Sequence, residues 1–430
     1  MSDFPKQTEV VVIGAGIAGT MTAYQLAKRG VPAVLCEKGR VAGEQSSRNW
    51  GWVRKQGRDH REIPAVIESL RIWEGLEKEI EADVGWEQAG TLYIAKTDDD
   101  LAYYEGWLGH ARDYQLDSRM LSPDEVDNLT GSEGRRWKGG LYTPSDGRAE
   151  PAKAAPAVAK AFERLGGTVL TECAVRTVES AAGKVSGVVT EKGTIACQAV
   201  VCAAGAWSSL FSGNLGHAFP QLKVRASVLR TKPAPLISQT SIGSPGASLR
   251  RRQDGGYTIA RSGSSYFQIT PDAFRYFRDF LPALNTSMKP RLRIGSEFLK
   301  ELVRPRKWSG DEVTVFEKTR VLDPEPDPGT LREVLAAAQT NFPQLGALEI
   351  AETWAGMIEV TPDAIPVWSG VDDLEGYYIA TGFSGHGFGM GAATGLIMSE
   401  LVMDGKSRFD LDAFRLSRFT DGSKLELNAR

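Results

Sequence analysis

The chain has no apolar run long enough to cross a bilayer, few cysteines, few histidines and almost no surplus of charge. Each shortage excludes something. A membrane-spanning helix needs about 20 consecutive apolar residues, and the apolar stretches here are soon broken by glycine or charge. The N-terminus, MSDFPKQTE, lacks the basic-then-apolar order of a secretory signal, so a cytoplasmic protein with no integral membrane segment is the expectation. The 4 cysteines, Cys36, Cys173, Cys197 and Cys202, show neither zinc nor redox-motif spacing and read as reduced core thiols. The 4 histidines include no helical ligand pair, and no metal is expected. With 51 Lys and Arg against 54 Asp and Glu, a net charge of -3 gives no electrostatic case for a nucleic-acid partner.

What is present is enough chain for two domains: 430 residues, 42% hydrophobic. Residues 9–13, EVVVI, read as a buried parallel strand, followed by GAGIAG and a helix ending near Gly30. VPAVLCEK is a second strand ending on Glu37. This is a β-α-β unit with Gly14, Gly16 and Gly19 spaced GxGxxG at the first turn. The first glycine permits the tight turn, the second lets backbone approach a pyrophosphate, and the third allows close helix–strand packing. The amides of Gly16, Ile17 and Ala18 then face the phosphates at a helix N-terminus. Glu37 is placed to accept hydrogen bonds from a ribose diol, and it would repel the 2′-phosphate of NADP. Lys38 follows it directly.

Further along, an amphipathic helix is expected over 60–82, a strand over 90–95, helices over 97–116 and 122–130, and an Ala-rich helix over 151–166. Strands are expected near 168–172, 185–191 and 198–203. From about 220 the texture changes to strands with Gly or Pro turns, including LKVRASVLRT and SSYFQIT, an antiparallel meander. DPEPDPG at 323–329 is a connector, TLREVLAAAQTNF a helix, and the tail returns to strand, Gly-rich loop and helix. The expected architecture is α/β: a doubly wound Rossmann-like domain over 1–84, 149–219 and 350–430, with an inserted α+β domain on a mixed or antiparallel sheet over 85–148 and 220–349.

The fingerprint alone leaves NAD and FAD open, and an NAD-dependent dehydrogenase rests on it and Glu37. Two further loops favour the longer cofactor. VVCAAGAWS (200–208) follows a strand, and ATGFSGHGFGMG (380–391) opens a late helix whose N–H groups suit negative charge on a reduced flavin. With these pieces the chain resembles the D-amino-acid oxidase-like flavoproteins, the group of glycine oxidase, monomeric sarcosine oxidase and D-amino-acid dehydrogenase. The resemblance rests on VVIGAGIAGTMTAYQLAKRG with Glu37, GEQSSRNWGWVR (43–54), AAGAWS, WAGMIEVTPDAIPV (354–367) and GFSGHGFGMG. It implies that Gln45, Ser46, Ser47, Arg48, Asn49 and Trp50 run along the pyrophosphate and ring. It also implies that Val175 meets adenine, that Ala204, Gly205 and Trp207 wall the cofactor, and that Gly356, Met357, Gly385, His386, Gly387, Phe388 and Gly389 flank the flavin. Relatives that bind flavin covalently use a cysteine near Gly356. No cysteine follows residue 202 here, so the FAD is expected to be non-covalent.

The resemblance further implies oxidation of a C–N bond by hydride transfer to flavin, followed by imine hydrolysis. The electron acceptor is O2 or another oxidant; the Lys that activates oxygen in sarcosine oxidase-like members is replaced near Thr258. Amino-acid substrates need a cation for their carboxylate, usually arginine. The family's usual carriers are missing: Ile358 and Gly389 stand in their places. Arg54 is the first candidate, with Arg48, Arg250, Arg251, Arg252 and Arg261 behind it; the triplet 250–252 reads as a solvated turn. Trp50, Trp52, Tyr257, Tyr266, Phe267 and His386 are candidates for the substrate pocket, weighed against core or loop roles. Glu359 reads as a surface or loop-bracing group; inside the pocket it would suit a polyamine. The favoured substrate is a secondary amino acid such as sarcosine or iminodiacetate. D-amino acids, polyamines or other primary amines, and a flavin-binding subunit needing a partner are the alternatives.

Overall fold

The computed structural model describes residues 4–134, 136–263, 266–284 and 291–427. Ser264 and Ser265 of the expected SSYFQIT strand lie outside them, as do the first three residues. Two large sheets organise the chain. The first has nine strands, and its centre is parallel: Leu374–Thr381, Ala199–Cys202, Val10–Ile13, Ala33–Cys36 and Thr168–Leu170 lie side by side in that order. All four residues of Val10–Ile13 are buried, because both faces of this sheet are covered.

The helix Ile17–Lys28, between the first two strands in sequence, is buried from Ile17 to Leu26. It is buried on several sides, Thr20, Thr22 and Gln25 included, because it packs between the helices Pro151–Arg164 and Gly387–Asp404. Contact with the last helix is close: a Cβ on Gly395 would come within 2.5 Å of the Met21 backbone. The Ser122 capping box read from SPDE is formed, with Glu125 at its third position. Among the described residues, no helix is long and apolar enough to cross a membrane.

The second sheet has ten strands and is mixed. Its long central pair is Leu222–Thr231 against Ile350–Val360, antiparallel from Leu222 opposite Val360 to Thr231 opposite Ile350. This differs from the expected partition, which assigns 350–430 wholly to the nucleotide domain. Residues 350–360 instead complete the second sheet, because the edge of Leu222–Thr231 is free to take them. Conversely, Phe316 and Trp308 from the expected second domain pack into the core of the first. Arg250 also departs from expectation. It lies in the strand Ala247–Arg251, 1% exposed, and its guanidinium holds both oxygens of buried Glu150 at 2.9 and 3.1 Å. It is a structural ion pair and not a solvated turn.

A second buried pair fastens the chain's end to the site. Arg418 grips both oxygens of Asp363, in the TPD turn, at 2.8 and 3.2 Å and also donates to the Ile365 carbonyl.

Candidate functional site

The site begins where the first strand ends. Gly14 has φ +97, and a Cβ there would meet the Ala203 carbonyl oxygen at 2.6 Å, so only glycine serves. Gly19 has no room for a side chain against Gly14, in keeping with a packing role. The Ile17 amide donates to Ser46 Oγ at 2.8 Å, tying the helix N-terminus to the segment that follows the second strand. Glu37 accepts from the amides of Ala15 at 2.9 Å and Gly39 at 2.7 Å. Burial pushes its pKa up, while these amides and Lys38 oppose the rise.

From this turn a cavity of about 560 Å³ extends to the second sheet, a size typical of small-molecule sites. Its nucleotide end is lined by Gly14, Gly16, Ile17, Ala18, Glu37, Lys38, Val175, Ala204, Gly205 and Trp207. Gln45, Ser46, Arg48, Asn49 and Trp50 line the middle, and Gly356, Gly385, His386, Gly387, Phe388 and Gly389 the far part. Gly356 lies against Gln45 there: a Cβ would displace the Gln45 side-chain amide from its place on the wall. Arg48 lines the wall while bonded to Asp323 at 2.6 Å and to the Ala355 carbonyl at 2.9 Å. The cavity therefore fits a long dinucleotide: helix amides with no acidic residue in the first turn, a carboxylate at one end and a second helix N-terminus at the other.

Among the expected contacts, Gly19, Ser47, Met357, Tyr257, Tyr266 and Phe267 do not line this cavity. Ser47 donates instead to the Glu44 carbonyl at 3.2 Å. Gly356 and Ile358 line the wall, but Met357, between them on the strand, does not. Tyr257 lies in the core of the second domain, with its hydroxyl on the Pro235 carbonyl at 3.1 Å and the Ile237 amide. Tyr266 is likewise outside, its hydroxyl donating to Asp327.

The substrate end carries Arg54, Arg261 and His386, which the sequence offered as candidates, and Arg58, which it did not. Arg54 lines it, donating to the Gln56 carbonyl, with its guanidinium 5.9 and 5.2 Å from the rings of Trp52 and Tyr93. Trp50 and Trp52 pack edge to face beside it, with centroids 5.8 Å apart. Arg58 also lines the cavity; it is 6% exposed, and Nη1 has no hydrogen-bond partner. Burial lowers its pKa to about 9, helped by Arg54 and opposed by Glu62, Tyr93 and Asp146. His386 sits 3.3 Å from the buried Glu62 carboxylate, yet burial lowers its pKa, with Arg58 pushing the same way. A neutral imidazole at pH 7 follows. Arg261, at the end of Tyr257–Ala260, lines the cavity from the second sheet and pairs with Glu333 at 3.5 Å.

Glu44 and Glu359 complete the acidic part. Glu44 takes Lys38 at 2.6 Å and the Trp207 indole at 3.1 Å. Glu359 overturns the surface reading: it is 7% exposed and lines the cavity. Burial raises its pKa to about 7, partly offset by the Phe383 backbone amide. Its proton is held more tightly in the folded chain than in the unfolded one. Stability should therefore fall as pH rises from the unfolded carboxyl range near 4.5 to about 7. Urea unfolding across that window checks this: Glu359→Gln should flatten the decline, and an unchanged slope would exclude Glu359 as its source.

Comparison with known proteins agrees with this geometry. The profile of the FAD dependent oxidoreductase family (DAO) matches residues 9–401. Among solved structures, an L-amino acid deaminase from Proteus myxofaciens superposes with a TM-score of 0.94 at 30% identity, covering 98% of this chain and 95% of that one. Glycine oxidase of Geobacillus kaustophilus is 23% identical over 95% of this chain and 97% of its own length. Mitochondrial sarcosine dehydrogenase of Mus musculus is 26% identical over 96% of this chain, which spans only 42% of that longer protein. The nucleotide turn, the cavity and the match over most of the sequence lead to one conclusion: the chain belongs to the family of FAD dependent oxidoreductases.

Proposed function

We propose that the chain oxidises the C–N bond of an α-amino acid, with an N-substituted amino acid such as sarcosine or iminodiacetate as the favoured substrate. The observation that carries the reading is three guanidinium groups, Arg54, Arg58 and Arg261, on the wall of one cavity. A carboxylate is the natural partner of such groups. The sarcosine dehydrogenase relative supports the secondary amine.

In this reading the helix N-terminus at Gly16 and Ala18 holds the diphosphate, with the Ile17 amide on Ser46 Oγ beside it, and Glu37 holds the adenosine ribose. Gln45, Ser46, Arg48 and Asn49 line the path to the ring, and the loop Gly385–Gly389 presents the N-terminus of its helix to it. Bound FAD supplies the hydride acceptor, turning the C–N bond into an imine that water hydrolyses to a carbonyl compound and an amine. The protein's own part is placement. The arginines anchor the carboxylate, Trp50 and Trp52 wall the pocket, and neutral His386 adds no cation of its own. In this reading Arg54, Trp50 and His386, which line the cavity, serve the pocket, and Tyr257, in the core of the second domain, does not.

A second reading, a primary L-amino acid, is favoured by the likeness to the L-amino acid deaminase. The polyamine alternative has Glu359 on the cavity wall in its support, but three arginines oppose a polycation there. One experiment separates these readings: anaerobic mixing of the yellow holoprotein with sarcosine, iminodiacetate, L- and D-amino acids and spermidine, then readmission of air. Bleaching by an amino acid is expected; bleaching by spermidine alone would overturn the proposal. Fast recolouring marks O2 as acceptor, slow recolouring another oxidant. Acid precipitation should release all the flavin as free FAD, and flavin retained in the pellet would contradict non-covalent binding.

A further inference from the structure

Among the described residues 13 large apolar side chains are exposed, and eight of them lie between Phe274 and Val303. Scattered singly, such residues need no explanation; concentrated in one short stretch they mark an interaction surface. The stretch holds together as one face. The helix Pro271–Arg275 packs against the helix Ser296–Leu302, with the rings of Phe274 and Phe298 6.3 Å apart. The Ile269 amide donates to the Arg293 carbonyl at 2.9 Å, which fixes the strand Arg291–Arg293 beside them. Ile294 and Val303 are the most exposed, at 78% and 79%. Charge is sorted in the same place. From 271 to 307 the sequence has nine Lys and Arg but four Asp and Glu, within a chain of net charge -3. The four acids, Asp272, Asp279, Glu297 and Glu301, are half-buried, whereas Arg275, Arg278, Arg291, Arg293, Lys300 and Lys307 are exposed. The face thus presents cations and apolar groups to water. Its ion pairs, such as Lys300 with Glu297 at 2.7 Å and Arg291 with Glu333 at 3.0 Å, are solvent-exposed. Such pairs are worth little, so the cations can exchange them for phosphate.

We propose that this face docks the protein on a bilayer rich in anionic lipid, its apolar side chains entering the headgroup boundary and its cations meeting lipid phosphate. The arrangement suits lipid better than protein. The core of a protein–protein interface excludes charge, but here Arg291, Leu292, Arg293 and Ile294 interleave cations with apolar groups, all four exposed. Two copies joined through this same face would bring like charges together. The face adjoins the cofactor cavity: Arg304, from the same segment, lies 5.5 Å from the ring of Trp207, which lines that cavity. Docking of this kind is peripheral, requires no spanning helix and does not depend on which amine is oxidised.

The test is sedimentation of the FAD-loaded protein with sucrose-filled vesicles of phosphatidylcholine, with and without phosphatidylglycerol. The protein should pellet with the phosphatidylglycerol vesicles and stay in solution with phosphatidylcholine alone, and about 0.5 M NaCl should release it. Ile294→Ser combined with Val303→Ser should weaken the partition at least about tenfold, through lost apolar burial. Arg278→Gln should weaken it about fivefold. These three side chains line neither the cavity nor a core cluster, so flavin absorbance and the urea midpoint should stay as in the parent. Equal pelleting with both vesicles, or an unaltered partition in the serine variant, would overturn the proposal. No pelleting with either would overturn it and leave a protein partner for the face. A concentration-dependent dimer in lipid-free buffer that the serine variant abolishes would also overturn it and assign the face to a second copy of the chain.

Discussion

Replacing Gly16 by valine should give a folded protein that no longer retains FAD. Gly16 has φ -73 and ψ -179, an extended conformation open to valine, so the backbone carries no penalty. The added carbons would occupy the cradle itself: a Cβ already meets Ser46 Oγ at 2.9 Å, beside the Ile17 amide that Ser46 receives. A diphosphate pushed off these amides loses one or two charged hydrogen bonds, about 3 kcal/mol, or roughly a hundredfold in affinity. The variant should purify colourless with an unchanged far-ultraviolet dichroism spectrum. A yellow variant with near-normal affinity would place the diphosphate elsewhere.

The largest stability effect is expected at Asp363. Its carboxylate, 1% exposed, is gripped by Arg418, itself 3% exposed, far along the chain. Truncating Asp363 to alanine leaves a buried guanidinium without its counter-ion, a loss of about 3–5 kcal/mol. The Ile365 carbonyl that Arg418 also holds cannot replace the charge. Urea unfolding of the holoprotein measures this. The double variant Asp363→Ala, Arg418→Met should recover part of the loss, because it removes the stranded charge. A single variant within about 0.5 kcal/mol of the parent would mean that the pair is not a structural clasp.

The nucleotide half of the site was legible because its chemistry acts through the backbone. A tight turn at positive φ and a close approach of main chain to phosphate demand glycine at fixed spacing, and that demand is local. Gly14, Gly16, Gly19 and Glu37 could therefore be read one after another. The substrate half works through side chains whose surroundings come from distant segments. Glu359 looks like a solvated carboxylate beside a turn. Its burial arises from strand pairing, with Glu359 opposite Lys223, and from the loop at Phe383. Tyr257 was a fair candidate because alternation along a strand defines two faces but not which one meets the cavity; its ring faces the core instead. Arg250 has the same origin of error: the Arg triplet is a strand end, and Glu150 from another segment makes burial tolerable. Arg58 lies four residues beyond Arg54, but not on a helix, so no spacing rule marks it. Its only signal was proximity to the flavin loop.

The account depends most on the dinucleotide cradle, and titration of the apoprotein with FAD tests it most directly. Flavin fluorescence should quench to a sharp end point at one FAD per chain, with a dissociation constant in the micromolar range or below, while NADH produces no fluorescence change. A protein that ignores FAD, or that binds NADH in its place, would contradict the assignment.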